Sequence, residues 1–267
     1  MEPQVITVRY ADDLSPTARH FHDCYQLIYV VDGQASITVN GRTYTATSGS
    51  IAVIGRFEQH SIAVNGLCYK RYAVSVDPAV CGNHSLLGNR LLSVLINRPS
   101  HFCHIAQLRD PQLAEMILSQ MEQECRSKDT MGDRMLLLLL SQLLILYCRQ
   151  NPDSIPETST NLKLVQEIRQ YLEDNYAQRC ELDSLAQRFH LSQSHLSHLF
   201  RRVTGSSVIA YLTAYRLTAA KHCLIETDWE IRKVAESCGF TDHSNFGRTF
   251  KTNTGLSPTQ FRQQYKR

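Results

Sequence analysis

The sequence predicts an α+β chain of two domains, a small N-terminal β-barrel with added helices and a C-terminal all-α domain. Three observations predict this class. Short apolar segments separated by Gly, Asn and Asp fill the first quarter of the chain. Helical periodicity follows from about residue 85, and one helix-turn-helix pattern occurs twice in the last hundred residues. The 267 residues suffice for two buried cores.

The N-terminal region has the pattern of a small antiparallel barrel or sandwich. Residues 25–31 favour a strand, and the following Asp32-Gly33 predicts a hairpin turn. Asn40-Gly41 predicts a second hairpin turn. Further strands are predicted at residues 35–39, 44–47, 50–54 and 61–64. Short strands with such punctuation are typical of small barrels.

Helices are predicted next, at residues 85–97, 110–127 and 132–150. Residues 136–146 carry more apolar surface than one side of a small barrel ordinarily buries, which predicts a homodimer held by the helices between about 110 and 150. The alternative is a core helix that closes the open side of the barrel. This apolar run is too short for a membrane span of about 20 residues, so no membrane partner is expected.

The predicted organisation is an N-terminal domain with the dimer helices over residues 1–150, a linker over 151–161 and a C-terminal helix-turn-helix domain over 162–267. The linker is polar, rich in Pro, Ser and Thr, and has no apolar periodicity.

Nine cysteines occur singly, without a CxxC pair. Their odd number and the absence of a signal peptide predict reduced thiols and a cytoplasmic location.

The first helix-turn-helix copy covers residues 185–205, with its turn at 189–192 and Ser192 as the predicted N-cap of the second helix. Apolar residues at helical spacing form one stripe of that helix: Leu196, Leu199, Phe200 and Val203. A second stripe is polar and then basic, as a helix that reads base edges requires. The DNA-contacting residues predicted here are Ser194, Ser197, His198, Arg201 and Arg202.

The second copy covers residues 234–255 and has one extra residue near its turn, which is formed by Gly239-Phe240. Phe246 and Phe250 are predicted to face inward. The DNA-contacting residues predicted in this copy are His243, Ser244, Arg248 and Lys251. Matching stripes in both copies favour DNA reading over a merely solvated helix face. Ser257-Pro258 then predicts the start of a further helix.

Charge is distributed unevenly along the chain. Residues 161–267 contain 15 Lys and Arg against 10 Asp and Glu, whereas residues 1–160 contain 13 against 15. The modest net charge of +3 therefore hides a basic C-terminal part. A basic domain suits the phosphate backbone of DNA.

Over about residues 161–267 the chain resembles the AraC/XylS family of bacterial transcription regulators. In the second copy the resemblance is carried by Ile231, Val234, Ala235, Gly239, Phe240, Ser244, Phe246, Arg248, Phe250, Lys251, Gly255, Ser257, Pro258, Phe261 and Arg262. Residues 211–221 resemble the long helix that joins the two units in this family. His190 departs from the pattern, because a turn Gly is common there. The resemblance implies binding to double-stranded DNA, with RNA polymerase as a further candidate partner.

The N-terminal region resembles the cupin-type sensor domain of many AraC-family members, through His20-x-His22, Gln26, Gly33 and His60. In metal cupins these positions supply three imidazoles and a carboxylate, and here Gln26 replaces the carboxylate. The even spacing of His20, His22 and Gln26 predicts that they share one strand face. We predict that His20, His22, Gln26 and His60 bind a small polar effector, with sugars as one candidate class. The alternatives are a Zn, Fe or Ni site and a purely structural cluster.

The function predicted from these observations is a sequence-specific DNA-binding transcription regulator controlled by an effector in the N-terminal barrel. The alternative is a metal-dependent cupin enzyme with an appended DNA-binding module. No catalytic residue and no cofactor is predicted, because the sequence shows no evident general base. The identity of the effector, the operator and the choice between activation and repression are left open.

Overall fold

The computed structural model describes residues 5–78, 80, 89–96, 102–127, 131–152 and 160–266. The chain forms two compact units, Met1–Thr158 and Ser159–Arg267. The predicted α+β class is confirmed, with the strands in the first unit and helices alone in the described part of the second. Of the predicted linker, residues 153–159 lie outside the described residues, and a helix already begins at Thr160.

The first unit contains one curled antiparallel sheet of seven strands, in the order β1-β6-β3-β5-β7, with β2 paired to β6 and β4 paired to β3. The strands are β1 (Ile6–Asp12), β2 (Thr17–His20), β3 (Tyr25–Val39), β4 (Arg42–Thr47), β5 (Ser50–Ile54), β6 (His60–Val76) and β7 (Ile105–Gln107). The helices are α1 (Asn89–Ile96), α2 (Pro111–Arg126) and α3 (Gly132–Gln150). Residues 85–88 and 97 of the first predicted helix lie outside the described residues.

The predicted hairpin turn at Asp32-Gly33 is wrong, because β3 runs through it. The register of β3 against β6 shifts on either side of this pair, which marks a β-bulge. Gly33 has φ 89°, and a Cβ there would overlap the backbone carbonyl of Cys68. The Asp-Gly pair therefore bends a continuous strand instead of reversing it. The turn at Asn40-Gly41 is confirmed, with φ values of 49° and 82° that suit a type I′ hairpin.

Residues 27–30 of β3 are all buried, so this part of the strand is covered on both faces, which explains the continuous apolar run at residues 27–31. Leu27 and Tyr29 belong to a core shared with α1, α2 and α3. Ile28 and Val30, on the opposite face, belong to a second apolar cluster inside the curl of the sheet. A strand buried on both faces cannot alternate between apolar and polar residues, because neither face meets water.

Helix α3 belongs mainly to the core of the first unit. Six leucines within the segment predicted as a dimer helix are buried in their own chain: Leu136, Leu137, Leu139, Leu140, Leu143 and Leu144. The predicted excess of apolar surface is therefore mostly used within the unit, as the core-helix alternative requires. A narrower stripe stays exposed at helical spacing, formed by Met131, Met135, Leu138 and Ile145.

The second unit repeats one local structure twice. The first copy comprises α5 (Leu182–Arg188) and α6 (Gln193–Thr204), and the second comprises α8 (Ile231–Ser237) and α9 (His243–Thr254). Corresponding helices have equal lengths of 7 and 12 residues, so the predicted extra residue lies in the second turn. The remaining helices are α4 (Thr160–Asp174), α7 (Val208–Glu226) and α10 (Pro258–Tyr265). The predicted start of α10 is confirmed by a capping box between Ser257 and Gln260.

The two turns use different residues at the same left-handed position. His190 has φ 56° and is exposed, so its side chain has room in solvent. Gly239 has φ 79°, and a Cβ there would lie 2.8 Å from the carbonyl oxygens of Tyr176 and Ala177 and 2.9 Å from Nε of Arg216. The departure at His190 is therefore tolerated sterically, whereas Gly239 has no room for a side chain.

Replacing Gly239 with Ala is expected to destabilise the second unit by about 2–4 kcal/mol, because the left-handed strain and the steric overlap act together. Gly255→Ala is the matched control: Gly255 has φ 77° but nothing within 4 Å of the added Cβ. This variant carries the strain alone, about 1–2 kcal/mol. Trp229 is the only tryptophan of the chain and lies in this unit, so its fluorescence during urea unfolding reports both variants. Equal losses would contradict the steric argument.

Candidate effector site and nucleic-acid interface

The second helix of each helix-turn-helix copy is fixed by its own sequence. Ser192 caps α6 by accepting a hydrogen bond from the amide of His195, as predicted. Asp242 caps α9 by accepting from the amides of Ser244 and Asn245, a role that the sequence analysis missed. The buried residues of these helices include Leu196, Leu199, Phe200, Phe246 and Phe250, while Val203 is half-buried.

The predicted DNA-contacting side chains lie on the outer faces of α6 and α9. Seven of them are exposed: Ser194, His198, Arg201, Arg202, Ser244, Arg248 and Lys251. Ser197 and His243 are half-buried. His243 Nε2 lies 3.4 Å from a carboxylate oxygen of Glu236, which also pairs with Arg232. His243 is thus partly engaged within the unit.

The basic side chains of this surface are available to a ligand. Within the described part of the chain, no carboxylate forms an ion pair with Arg201, Arg202, Arg248 or Lys251. Exposed cations without an internal partner keep their full attraction for phosphate and for the acceptor atoms of guanine. Together with the caps that orient them, these side chains form a surface suited to a DNA groove.

Three histidines of the first unit converge as predicted. One ring nitrogen from each of His20, His22 and His60 lies within 4.8 Å of the others. The ring centroids of His20 and His60 are 4.2 Å apart, and those of His22 and His60 are 4.8 Å apart. His60 is buried, whereas His20 and His22 are half-buried. The cluster therefore has a closed side and a side that solvent reaches.

The prediction that His20, His22 and Gln26 share one strand face is wrong. His20 is the last residue of β2, His22 lies in the segment between β2 and β3, and Gln26 lies in β3. The three side chains still meet, because residues 21–24 cross from one strand to the other. His22 Nε2 lies 3.3 Å from Oε1 of Gln26. His60 begins β6 and stands opposite His20 in the antiparallel register.

Each histidine of the cluster is oriented by a backbone carbonyl. Nδ1 of His20 lies 2.9 Å from the carbonyl of Ala18, and Nδ1 of His60 lies 2.9 Å from that of Glu58. Nδ1 of His22 lies 3.1 Å from the carbonyl of Cys24. A carbonyl oxygen only accepts, so the proton of neutral His60 is on Nδ1 and its Nε2 is a lone-pair acceptor. Both ring nitrogens of His22 face acceptor oxygens, the carbonyl of Cys24 and Oε1 of Gln26.

Two polar atoms inside the curl of the sheet lack partners. Among the described residues, nothing forms a hydrogen bond with Nε2 of His60 or with the hydroxyl of Tyr69, although both atoms are buried. Burial, reinforced by the neighbouring His22 ring, lowers the pKa of His60 to about 3. His60 is therefore neutral at physiological pH. Buried acceptors and donors of this kind are costly unless a ligand or water pairs with them.

A second polar group next to the cluster was missed by the sequence analysis. The buried carboxylate of Glu58 lies 3.2 Å from Nε2 of His104 and 2.5 Å from the amide nitrogen of Gly55. His104 Nδ1 in turn accepts from the hydroxyl of Tyr44, at 3.2 Å. The backbone carbonyl of Glu58 is also the one that orients His60. Glu58 and His104 are isolated in the sequence and match no motif, so no pattern pointed to them.

The chemistry of the cluster suits two kinds of ligand. Neutral imidazoles and an amide bind hydroxyl groups without burying a charge. Three imidazole nitrogens also form a ligand set for Zn²⁺ or a similar ion. The thiol of Cys24 lies 3.3 Å from Nδ1 of His22, and burial raises its pKa to about 11. Cys24 is accordingly a neutral neighbour of the cluster.

The first unit has another concave surface, an open groove beside α2. It is lined by Tyr10, Val31, Tyr72, Met116, Ser119 and Gln120, among others. The residues that line the groove include no histidine. In the described residues, no helix is both long and apolar enough to cross a membrane.

Comparison with known proteins assigns both units. A model of the AraC-like ligand binding domain matches residues 3–144, and a helix-turn-helix domain model matches residues 185–264. The chain is 28% identical to the HTH-type transcriptional activator RhaR of Salmonella dublin, over 98% of this chain and 92% of that protein. It is 29% identical to the activator RhaS of Escherichia fergusonii, over 91% and 87% of the two chains.

Two further proteins are similar to this chain, one in sequence over part of its length and one in fold. The HTH-type transcriptional regulator YijO of Escherichia coli K12 is 33% identical over 61% of this chain, and the match spans 56% of that protein. The crystal structure of ToxT from Vibrio cholerae superposes with a TM-score of 0.67 at 11% identity, covering 98% of this chain and 99% of ToxT. At this identity ToxT supports the fold of the chain and nothing more specific.

Proposed function

The chain belongs to the AraC family of DNA-binding transcription regulators, and from this premise we propose that α6 and α9 read its operator while the histidine cluster binds its effector. The observation that carries the proposal is the repeated helix-turn-helix. Both copies present a capped helix with exposed basic residues that no described carboxylate neutralises. The two recognition helices would enter successive major-groove segments on one face of the duplex, about 34 Å apart.

The DNA contacts divide into two classes in this proposal. His198, Arg201, His243, Ser244 and Arg248 read bases or lie next to them, with Ser194 and Ser197 at the start of α6 in reading positions. Arg202 and Lys251 hold phosphates. Ser194 and Ser197 are short and form few strong base contacts, so specificity in the first half-site depends mainly on His198 and Arg201. In the second half-site it depends mainly on Arg248.

Arg248→Ala is expected to weaken binding to the cognate site by about 1–3 kcal/mol and binding to random DNA far less, because a base contact is lost. Lys251→Ala is the comparison variant and should weaken both by similar amounts, because a phosphate contact carries no sequence information. The cognate site is first selected from a random duplex pool. Dissociation constants are then measured by fluorescence anisotropy at one fixed salt concentration. Equal losses on both DNAs for Arg248→Ala would move Arg248 to the phosphate class.

The effector proposal depends on the four side chains His20, His22, Gln26 and His60. The half-buried histidines give access from solvent, and the unpartnered Nε2 of His60 offers a buried acceptor. A hydroxyl-bearing molecule, with sugars and polyols as the first candidates, would pair with these groups. Relatives of the same fold accept other chemistry, since one ToxT structure contains a bound unsaturated fatty acid.

A panel of monosaccharides and polyols is expected to contain a compound that raises the melting temperature of the first unit in calorimetry of the full chain. At 100 times its dissociation constant such a ligand stabilises the folded unit by about 2.7 kcal/mol. His22→Ala and Gln26→Ala should abolish this shift and leave effector-free DNA binding unchanged. Gln120→Ala, in the groove beside α2, is the matched control. Loss of the shift in Gln120→Ala alone would relocate the effector to that groove.

The dimer proposal now depends on the exposed stripe of α3. Met131, Met135, Leu138 and Ile145 are between 38% and 58% exposed and repeat at intervals of three to seven residues. This spacing is typical of a helix that packs against a parallel or antiparallel partner helix. A second copy of the chain, contributing the same stripe across a two-fold axis, would cover these side chains.

Leu138→Lys is expected to convert a dimer into a monomer at tens of micromolar, because a charge would enter the centre of the apolar stripe. Leu67→Lys is the control, since Leu67 in β6 is 96% exposed and lies outside the stripe. Light scattering on the full chain gives the molar mass of each. A wild-type monomer under these conditions would defeat the proposal.

The remaining parts of the proposal concern the role in the cell. RhaR and RhaS are named as transcriptional activators, so activation, with RNA polymerase as a partner, is the proposed mode of action. A cytoplasmic location gives access to chromosomal DNA. A regulatory and non-enzymatic role agrees with the names of RhaR, RhaS and YijO, each of which is described as an HTH-type transcriptional activator or regulator.

A further inference from the structure

The groove beside α2 contains a carboxylate that lacks a cationic partner. The groove has a volume of about 550 Å³, within the range of about 300–1,000 Å³ that is usual for small-molecule sites. Among the described residues that line it, Glu115 is the one charged side chain, and no Lys or Arg takes part. No described cation forms an ion pair with Glu115, whereas Glu122 on the same helix pairs with Arg126. The groove therefore carries a negative charge of its own.

A core residue holds Glu115 in place. The hydroxyl of the buried Tyr29 lies 3.2 Å from Oε1 of Glu115 and 3.3 Å from the backbone carbonyl of Pro111. Burial, reinforced by the charge of Glu115, raises the pKa of the Tyr29 phenol, so the hydroxyl keeps its proton and donates it. One carboxylate oxygen of Glu115 is engaged in this way. In the described part of the chain the other oxygen has no partner, and it stays available to a donor in the groove.

Two tyrosine rings belong to the sheet side of the groove. Tyr10 and Tyr72 are directly opposite each other in β1 and β6, with ring centroids 5.1 Å apart and ring planes at 63°. Burial raises the pKa of Tyr72, and the carboxylates of Glu122 and Glu115 raise it further, so their negative potential reaches this ring. The faces of aromatic rings attract cations as well. The rings and the free carboxylate oxygen therefore favour the same kind of ligand.

We propose that the groove beside α2 binds a small organic cation, a protonated primary amine with a compact apolar body. The ammonium group would donate to the free oxygen of Glu115 and lie against the rings of Tyr10 and Tyr72. Met116 is 66% exposed and would cover the apolar body. The site shares no residue with the histidine cluster and does not depend on the effector proposed there. Its ligand would connect α2 to strands β1 and β6.

The same chemistry disfavours other ligands of equal size. An anion would be repelled by Glu115, and the described lining of the groove has no cation to compensate. A neutral alcohol of the same shape would keep the apolar contacts. It would form only an ordinary hydrogen bond with Glu115 in place of a bond between two charged groups. The groove should therefore select an amine over the matching alcohol and carboxylate.

The selection is tested by calorimetric titration of the full chain with three compounds of one shape: cyclohexylamine, cyclohexanol and cyclohexanecarboxylate. We expect saturable binding of cyclohexylamine with a Kd of about 1 mM or below, and binding of cyclohexanol that is weaker by about 10-fold or more. Cyclohexanecarboxylate should not bind. The proposal is overturned if cyclohexylamine shows no saturable binding, or if either of the other compounds binds as tightly.

Glu115→Gln removes the charge and keeps both the shape of the side chain and an acceptor for Tyr29. It should weaken cyclohexylamine binding about 10–100-fold, to the level of cyclohexanol, because a hydrogen bond between charged groups is lost. Glu124→Gln is the matched control, since Glu124 lies on α2 but does not line the groove. It should leave the Kd unchanged. Equal losses in both variants would show that the amine responds only to the total charge of α2, and would overturn the site.

Tyr10→Leu separates the attraction of the ring for a cation from simple apolar contact. Tyr10 is 39% exposed, so this variant is expected to fold, which circular dichroism verifies. It should weaken cyclohexylamine binding about 3–10-fold and affect cyclohexanol less, because leucine keeps an apolar side chain but has no ring face. A larger loss for cyclohexanol than for cyclohexylamine would contradict the role of the ring.

The outcomes distinguish this site from the proposed effector site. His22→Ala should leave cyclohexylamine binding unchanged, because the described lining of the groove contains no histidine. Binding that is lost in His22→Ala and kept in Glu115→Gln would place the amine at the histidine cluster and overturn the proposal. A basic side chain from a second copy of the chain is the competing occupant. In that case Glu115→Gln would lower the molar mass in light scattering without changing amine binding, which would also overturn the proposal.

Discussion

The pairing of β3 with β6 is the constraint on which the first unit depends. These two strands are the longest, at 15 and 17 residues, and each contacts several other strands. The bulge at Gly33 bends β3, so its first half pairs with β5 and its second half with β4. The backbone of β3 passes so close to Cys68 at this point that no side chain fits at Gly33. The curl of the sheet follows from this close approach.

The curl in turn assembles the histidine cluster. Gln26 lies near the beginning of β3 and pairs with Ser75, while His60 pairs with Val39 at the end of β3. In a flat sheet these residues would be more than ten residues apart along the strand direction. His22 nevertheless contacts both, because residues 21–24 span the open end of the curled sheet. A ligand at the cluster therefore joins segments that the sheet alone holds only indirectly.

The features that could be predicted from the sequence are those with a local cause. The recognition helices, the cap at Ser192, the hairpin at Asn40-Gly41 and the ends of α3 all follow from short-range periodicity or turn chemistry. The prediction at Asp32-Gly33 is wrong because the same dipeptide suits both a hairpin turn and a bulge, and only long-range pairing with β6 decides between them. Strands β1, β2 and β7 were missed, and β6 was predicted too short.

The candidate site likewise contains residues that a local sequence pattern identifies and residues that only long-range strand pairing brings into place. Motif spacing identified His20, His22, Gln26 and His60, and the structure brings the four together. They come from β2, the segment after it, β3 and β6, whereas the first three were predicted to share one strand face. Glu58, His104 and Tyr69 could not be found, since nothing local distinguishes them from ordinary polar residues. Their place in the site depends on which strands meet, and that depends on the bulge in β3.

The two candidate binding surfaces differ physically: one offers exposed charges, and the other offers polar atoms that are partly buried. The DNA-facing helices keep cations in water, where an unpaired charge costs little and attracts a polyanion over about a Debye length of 8–10 Å. The histidine cluster contains a buried acceptor, Nε2 of neutral His60, which has no partner among the described residues, at a cost of about 1–3 kcal/mol for such a group. A ligand that forms a hydrogen bond with this buried nitrogen recovers that free energy only when the cluster is folded and assembled. Binding of the proposed effector at the cluster would therefore stabilise the arrangement of β2, β3 and β6, as a response to that effector requires.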